Sequence, residues 1–200
     1  MKNTFILLTL VFGLFACQKK MEPVASAISI NSSTAKTSGF VAYTIAKGEQ
    51  YCNQNSFVAV DYQQLSFIVQ FDSSAIYQTV SPSNQTDINK LFGFSDNNTA
   101  HHQYSARFGW RWSNNALRLF GYIYNNGVMS FKELGTIGIN EEISCSIKVT
   151  ATTYVFIVNG KETYMPRSST TSSAQGYKLY PFFGGTETAP HAISILIKEL

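Results

Sequence analysis

Charge is the scarcest thing in this chain. Asp, Glu, Lys and Arg make up 14% of its 200 residues, against about 25% in ordinary globular domains. The net balance is +3, too slight and too dispersed for a dedicated nucleic-acid binder, which carries clustered basic residues. Cysteine is scarce as well, at three residues, and Cys52 and Cys145 lack the spacing of a structural zinc site. There is no P-loop, dinucleotide fingerprint, His-Glu-x-x-His or nucleophile elbow. Nucleotide-driven chemistry, zinc proteolysis and hydrolase-fold acyl transfer therefore have no motif to rest on, and no cofactor or metal is expected. Beyond residue 17 no stretch shows the 3.6-residue periodicity of an amphipathic helix.

The polarity that is present comes from Asn, Ser and Thr, and the apolar mass comes largely from 15 Phe and 11 Tyr. Met1-Lys2-Asn3-Thr4 is a short basic head, followed by the mainly apolar Phe5–Phe15 and then Ala16-Cys17. A basic head, a short apolar stretch and a small residue before the cut describe a secretory signal. The stretch falls short of the about 20 residues that a transmembrane helix needs. Leu14-Phe15-Ala16-Cys17 resembles the lipobox of bacterial lipoproteins, with Phe15 bulkier than the usual residue at its place. The resemblance implies cleavage after Ala16, a thioether-linked lipid on Cys17, and anchoring to the cell envelope, with an outer-membrane and surface-exposed location as the expectation. Several acyl chains on one cysteine make a stable anchor where a single chain does not. Residues 17–38 are rich in Ser, Thr and Lys and read as a flexible tether. Residues 39–200 are expected to form a single domain.

From Phe40 onward short β-type runs alternate with turn clusters. Val41, Tyr43 and Ile45 alternate with Ala42 and Thr44; Leu65, Phe67, Val69 and Phe71 alternate with Ser66 and Gln70. Further strands are expected near 90–94, 105–112, 117–125, 131–139, 143–150, 153–159, 177–183 and 191–198, separated by Asn-Gly, Asn-Asn and Gly-Gly turns. Many half-buried strands and no helix mean an antiparallel β-sandwich or barrel. Cys145 sits on the apolar face Ile143, Cys145, Ile147, Val149. An oxidising envelope permits a Cys52–Cys145 disulfide; a buried free thiol is the alternative.

The segment Ala106–Asn125 is the most informative. A two-residue Asn114-Asn115 loop closes a hairpin, which pairs Trp112 with Leu117, Trp110 with Leu119, Arg111 with Arg118 and Arg107 with Tyr122. Side chains alternate faces, so Phe108, Trp110, Trp112, Leu117, Leu119 and Ile123 point to the core. Arg107, Arg111, Arg118, Phe120, Tyr122 and Tyr124 share the other face. Aromatic rings pack on the C–H faces of sugars, and guanidinium forks grip carboxylate or sulfate, so this face is the candidate ligand site. The bland alternative is that Arg stems simply cover the aromatics. Arg111 opposite Arg118 favours an anionic ligand, because like charges across a ladder repel without a counter-ion.

Tyr154–Val158 running into Asn159-Gly160-Lys161, and the ending Pro181-Phe182-Phe183-Gly184-Gly185, Ala189-Pro190-His191, Ile193, Ile195, Ile197, resemble the concanavalin A-like lectin/glucanase and laminin-G-like jelly rolls over about residues 60–200. The ending also resembles that of a family of bacterial envelope lipoproteins. The resemblance implies a jelly roll whose concave sheet carries the ligand. The Glu-x-Asp-x-x-Glu strand of the related glucanases is absent, and so are the strand signatures of the alginate-lyase jelly rolls. A uronate lyase would need a His or Tyr base and an Arg or Gln beside the carboxylate, and His101, His102, Gln103, Tyr104, Arg107 and Tyr122 are the residues of those types. Glu141-Glu142 reads as a turn, and Asp96-Asn97-Asn98 as a turn or a thin calcium ligand set. The expected function is a lipid-anchored, carbohydrate-binding jelly roll without catalysis. A polysaccharide lyase or glycoside hydrolase of the same fold is the first alternative, and a structural or protein-interaction lipoprotein the second. The expected partners are the membrane, through Cys17, and a poly- or oligosaccharide; no nucleic acid is expected.

Overall fold

In a computed structural model of the chain, residues 39–200 are described. The signal peptide, the lipid site Cys17 and the tether expected over residues 1–38 lie outside the described residues.

The strands, in chain order, are β1 (Val41–Ile45), β2 (Ala59–Tyr62), β3 (Gln64–Phe71), β4 (Asn89–Ser95), β5 (Tyr104–Ser113), β6 (Ala116–Asn125), β7 (Val128–Ile137), β8 (Ile143–Val149), β9 (Thr153–Val158), β10 (Lys161–Pro166), β11 (Ala174–Leu179) and β12 (Ile193–Glu199). They form two six-stranded sheets, ordered β1-β12-β3-β8-β9-β10 and β2-β11-β4-β5-β6-β7, with antiparallel pairing throughout. Among the described residues the only helical pieces are two short 3-10 turns, Ser73–Ala75 and Pro82–Thr86. The period-2 pattern thus does what half-buried strands require: one face of each sheet is apolar, and the two apolar faces meet.

Aromatic rings join the layers. Phe67 of β3 meets Phe92 at 5.3 Å and Phe108 at 5.5 Å, and Phe108 meets Phe156 of β9 at 5.2 Å, all edge to face. Asn114 and Asn115 both take positive φ, at 51° and 55°, the backbone of a two-residue hairpin turn. The β5–β6 register is the one the sequence dictates, from Trp112 opposite Leu117 to Arg107 opposite Tyr122.

The disulfide does not form: Cys52 and Cys145 are both buried and free. Cys52 pairs with Ile45 on the outer side of β1, whereas Cys145 lies on β8, with β1, β12 and β3 between them. Three strand spacings of about 4.8 Å separate β1 from β8, roughly twice the Cα reach of a disulfide. Burial pushes the Cys145 thiol far above its ordinary range, which keeps it unreactive. Protein purified without reductant and then unfolded is expected to titrate both thiols with Ellman-type reagent; no titratable thiol would contradict this arrangement.

Candidate functional site

The outer face of β5–β6 splits into a closed half and an open half. In the closed half, Arg111 donates to the Thr86 carbonyl at 2.6 Å and to Ser113 Oγ at 3.2 Å. Its guanidinium lies over the Phe120 ring at 4.8 Å. Arg118 pairs with Glu133 at 2.7 Å and also donates to the Ser113 carbonyl. Phe120 is only 1% exposed, covered by Arg111, by Phe131 and by Ile88. Ile88 sits where a side chain at residue 109 would be, since a Cβ on Gly109 would come 2.5 Å from its Cγ2. Arg111, Arg118 and Phe120, expected to face a ligand, are engaged here by protein groups. Their charges already have partners, and the Arg111–Arg118 repulsion is relieved by Glu133 and by carbonyl oxygens.

The open half is a cleft of about 470 Å³, within the size range of small-ligand sites. Arg107, Tyr122 and Tyr124 from the expected set lie in it, together with His101 and His102. Gln103 and Tyr104 are not among its lining residues; Tyr104 turns toward Asn126 instead. A bulge in β4 shapes the floor: Leu91 and Phe92 both face the core, so that Lys90, opposite Gly109, and Gly93, opposite Arg107, share the outer face. Gly93 has to be glycine, because a Cβ there would fall 2.4 Å from the Cα and the Cβ of Arg107. Lys90 Nζ then lies 5.0 Å above the Tyr122 ring and donates to the Ile88 and Gly184 carbonyls.

Arg107 is the anomaly. It is 7% exposed, and its Nη2 donates to the Tyr180 carbonyl at 2.6 Å. Its Nε has no protein acceptor, and Ser105 Oγ beside it on the same strand face has none either. Among the described residues it makes no ion pair, and no Asp or Glu lines the cleft. A buried cation without a counter-charge costs several kcal/mol, and unpaired buried donors cost about 1–3 kcal/mol more. Burial pushes the Arg107 guanidinium down to about 10, so it stays charged at neutral pH. Burial, helped by Arg107, likewise pushes Lys90 down to about 8.

One wall comes from β11. The Tyr177 hydroxyl accepts from the His101 amide at 3.1 Å and lies 2.9 Å from His101 Nδ1. Burial, then the neighbouring His102 and Arg107, push the His101 imidazole down to about 4, so it is neutral at pH 7. Tyr124 packs edge-on against His102. At the rim, Tyr51 stands on Phe182 and the 77%-exposed Phe57 lies against Tyr177. Lys90, Ser105, Tyr177, Phe57 and Phe182 were not legible as site residues. The one available signal was a lysine beside a glycine-containing apolar run, Asn89-Lys90-Leu91-Phe92-Gly93.

At Asp96-Asn97-Asn98 the carboxylate is taken up by protein donors. The Asp96 carboxylate is fully buried and is held by Arg167 at 2.7 Å and by the Tyr154 hydroxyl at 2.7 Å. Asn97 and Asn98 form a positive-φ turn. Among the described residues no group of three or more acidic, His or Cys side chains could hold a metal. Glu141 and Glu142 lie in a loop, where Glu141 accepts from the Gly138 amide.

No protein-family model matches the chain, and no curated protein matches it in sequence. Solved structures do match in shape. The alginate lyase AlyC3 aligns with 12% identity over 82% of this chain and 75% of that one, at a TM-score of 0.58. The same lyase in complex with dimannuronate aligns with 11% identity over 80% and 73%, at 0.55. A glycoside hydrolase family 16 endo-glucanase from Bacteroides ovatus aligns with 9% identity over 80% of each chain, at 0.52. At these identities the likeness is one of fold: the described residues form an all-β, antiparallel sandwich of the concanavalin A-like jelly-roll kind.

Proposed function

We propose that the cleft binds an acidic oligo- or polysaccharide, with Arg107 gripping a uronate carboxylate, and that lipid on Cys17 holds the domain at the cell envelope. The observation that carries this reading is the buried, charged Arg107 with a free Nε–H and no carboxylate nearby. An anionic ligand supplies the missing counter-charge, while Tyr122, Tyr124 and Tyr177 offer rings and hydroxyls to the sugar. A hydrolase would need two carboxylates about 5–10 Å apart, and the cleft is lined by none.

The test is titration calorimetry with polymannuronate, polyguluronate and polygalacturonate against neutral glucans. Arg107→Gln is expected to weaken acidic-glycan binding about ten- to hundredfold, as fits a charge-assisted hydrogen bond of about 1.5–3 kcal/mol. The variant is expected to melt no lower than the parent, because an uncompensated buried charge has gone. A large loss of stability with unchanged binding would mean that Arg107 is structural. Binding is also expected to weaken as pH rises through about 8, where Lys90 loses its proton; uptake of protons on binding near that pH checks the sign.

One observation favours a catalytic second reading. Neutral His101 shares a hydrogen bond with the Tyr177 hydroxyl in the same cleft as Arg107. A uronate held there would lose its C5 proton to neutral His101 while the C4–O bond breaks and the Tyr177 hydroxyl protonates the departing oxygen, giving a C4=C5 double bond and a released hydroxyl end. Ultraviolet absorbance of the unsaturated product during incubation with each polyuronate separates the two readings; a flat trace with tight binding leaves the binder.

A further inference from the structure

The β6–β7 register carries the outer face past the cleft. It places Phe131 beside Tyr122 and Met129 beside Tyr124, on the same side of the sheet as both tyrosines. Phe131 is 51% exposed and Met129 44% exposed. The Phe131 ring meets Phe120 edge-on at 6.1 Å, so its position is fixed although one side is open. At the opposite rim stands Phe57, against Tyr177 of β11. Between β11 and β7 lie β4, β5 and β6, so about 19 Å separates the two flanking strands at the usual strand spacing. A chain of several sugar rings spans that distance, and a disaccharide does not.

We propose that Met129 and Phe131 form a distal stacking platform for the same acidic glycan, so that the protein reads a chain crossing the strands rather than a terminal sugar or a disaccharide. The proposal rests on the reading of the cleft given above. A glycan fits this edge better than a second copy of the chain does. β7 carries Lys132 and Glu133 and is interrupted by a bulge at Leu134, between Glu133 opposite Phe120 and Gly135 opposite Leu119, and charges and bulges on an edge strand oppose strand-to-strand pairing. The platform is continuous with the cleft through the register that sets Phe131 beside Tyr122 and Met129 beside Tyr124.

The experiment compares a diuronate with a hexauronate on the parent protein and on Phe131→Ala. The parent is expected to bind the hexamer more tightly than the dimer. Phe131→Ala is expected to weaken the hexamer about five- to tenfold, as one stacking contact implies, and to leave the dimer unchanged. Equal losses for both lengths would mean that Phe131 acts through the fold, and no loss for either would mean that it is a bystander; each overturns the platform. Loss of a concentration-dependent dimer in Phe131→Ala, seen by sedimentation, would make the edge an interface between copies and overturn it as well. Failure of the parent to bind at either length would overturn the reading of the cleft and the platform with it, whereas tight binding without length dependence would overturn the platform alone.

Discussion

Arg167→Met is expected to cost about 3–5 kcal/mol, the price of leaving a buried charge without its partner, and so a large part of an ordinary domain's stability. Arg167 and Asp96 are fully buried and meet at 2.7 Å. The guanidinium also donates to the Thr150, Thr171 and Ser173 carbonyls and to Ser169 Oγ. It thereby ties the segment after β10 to the end of β4. Its loss strands a carboxylate and several carbonyls at once. Adding Asp96→Ala to Arg167→Met is expected to recover part of the loss, since the stranded charge goes with it. Thermal and urea unfolding of the single and double variants measure both effects. The pair also makes stability acid-sensitive. Burial pushes the Asp96 carboxyl up, but hydrogen bonds from Arg167, Tyr154 and the Asn97 amide outweigh it and hold the group below its ordinary 3.8. A carboxyl held low in the folded state stabilises it above that value, and the contribution is lost as pH falls below it. In Arg167→Met this acid dependence is expected to shrink.

Trp110→Ala is expected to cost about 3–5 kcal/mol for a different reason, the cavity left by a large buried ring. Trp110 is packed against Phe71 at 5.3 Å, Tyr77 at 5.7 Å and Phe183 at 6.4 Å. These neighbours come from a strand and two loops and do not collapse together easily. Tyr122→Ala does not separate binding from folding. Tyr122 is 8% exposed, pinned beneath Lys90 and beside Arg107, so truncating it is expected to destabilise as well, and Tyr122→Phe is the variant that isolates the hydroxyl. Comparable urea midpoints for Trp110→Ala and the parent would contradict the packing described.

The hairpin was legible to the residue because its determinants are local. Alternation assigns each face, and Asn114-Asn115 fixes the register. What covers each face is not local. Arg107 and Arg111 are equivalent by alternation, four residues apart on one strand face. The segment around Pro82–Thr86 closes over Arg111, and the segments near residues 51–57 and 177–182 leave Arg107 in an open cleft. The Asp96–Arg167 pair spans 71 positions and has no pattern to betray it. The edge strands β2 and β10 also escaped detection. Lys161-Glu162-Thr163-Tyr164 offers too few apolar residues, because an edge strand with both faces half-exposed has little to bury. Lys90 was hidden by the β4 bulge, which breaks alternation at the point where it delivers the lysine to the cleft.

The most direct measurement is nuclear magnetic resonance of the arginine Nε–H groups during titration with an acidic oligosaccharide. Arg107 Nε–H has no protein acceptor, whereas Arg111, Arg118 and Arg167 each use theirs. The Arg107 resonance, assigned by its loss in Arg107→Gln, is expected to shift with the affinity found by calorimetry and to become protected from exchange, with the other three nearly unmoved. Saturable glycan binding that leaves the Arg107 Nε–H signal in place would contradict the account.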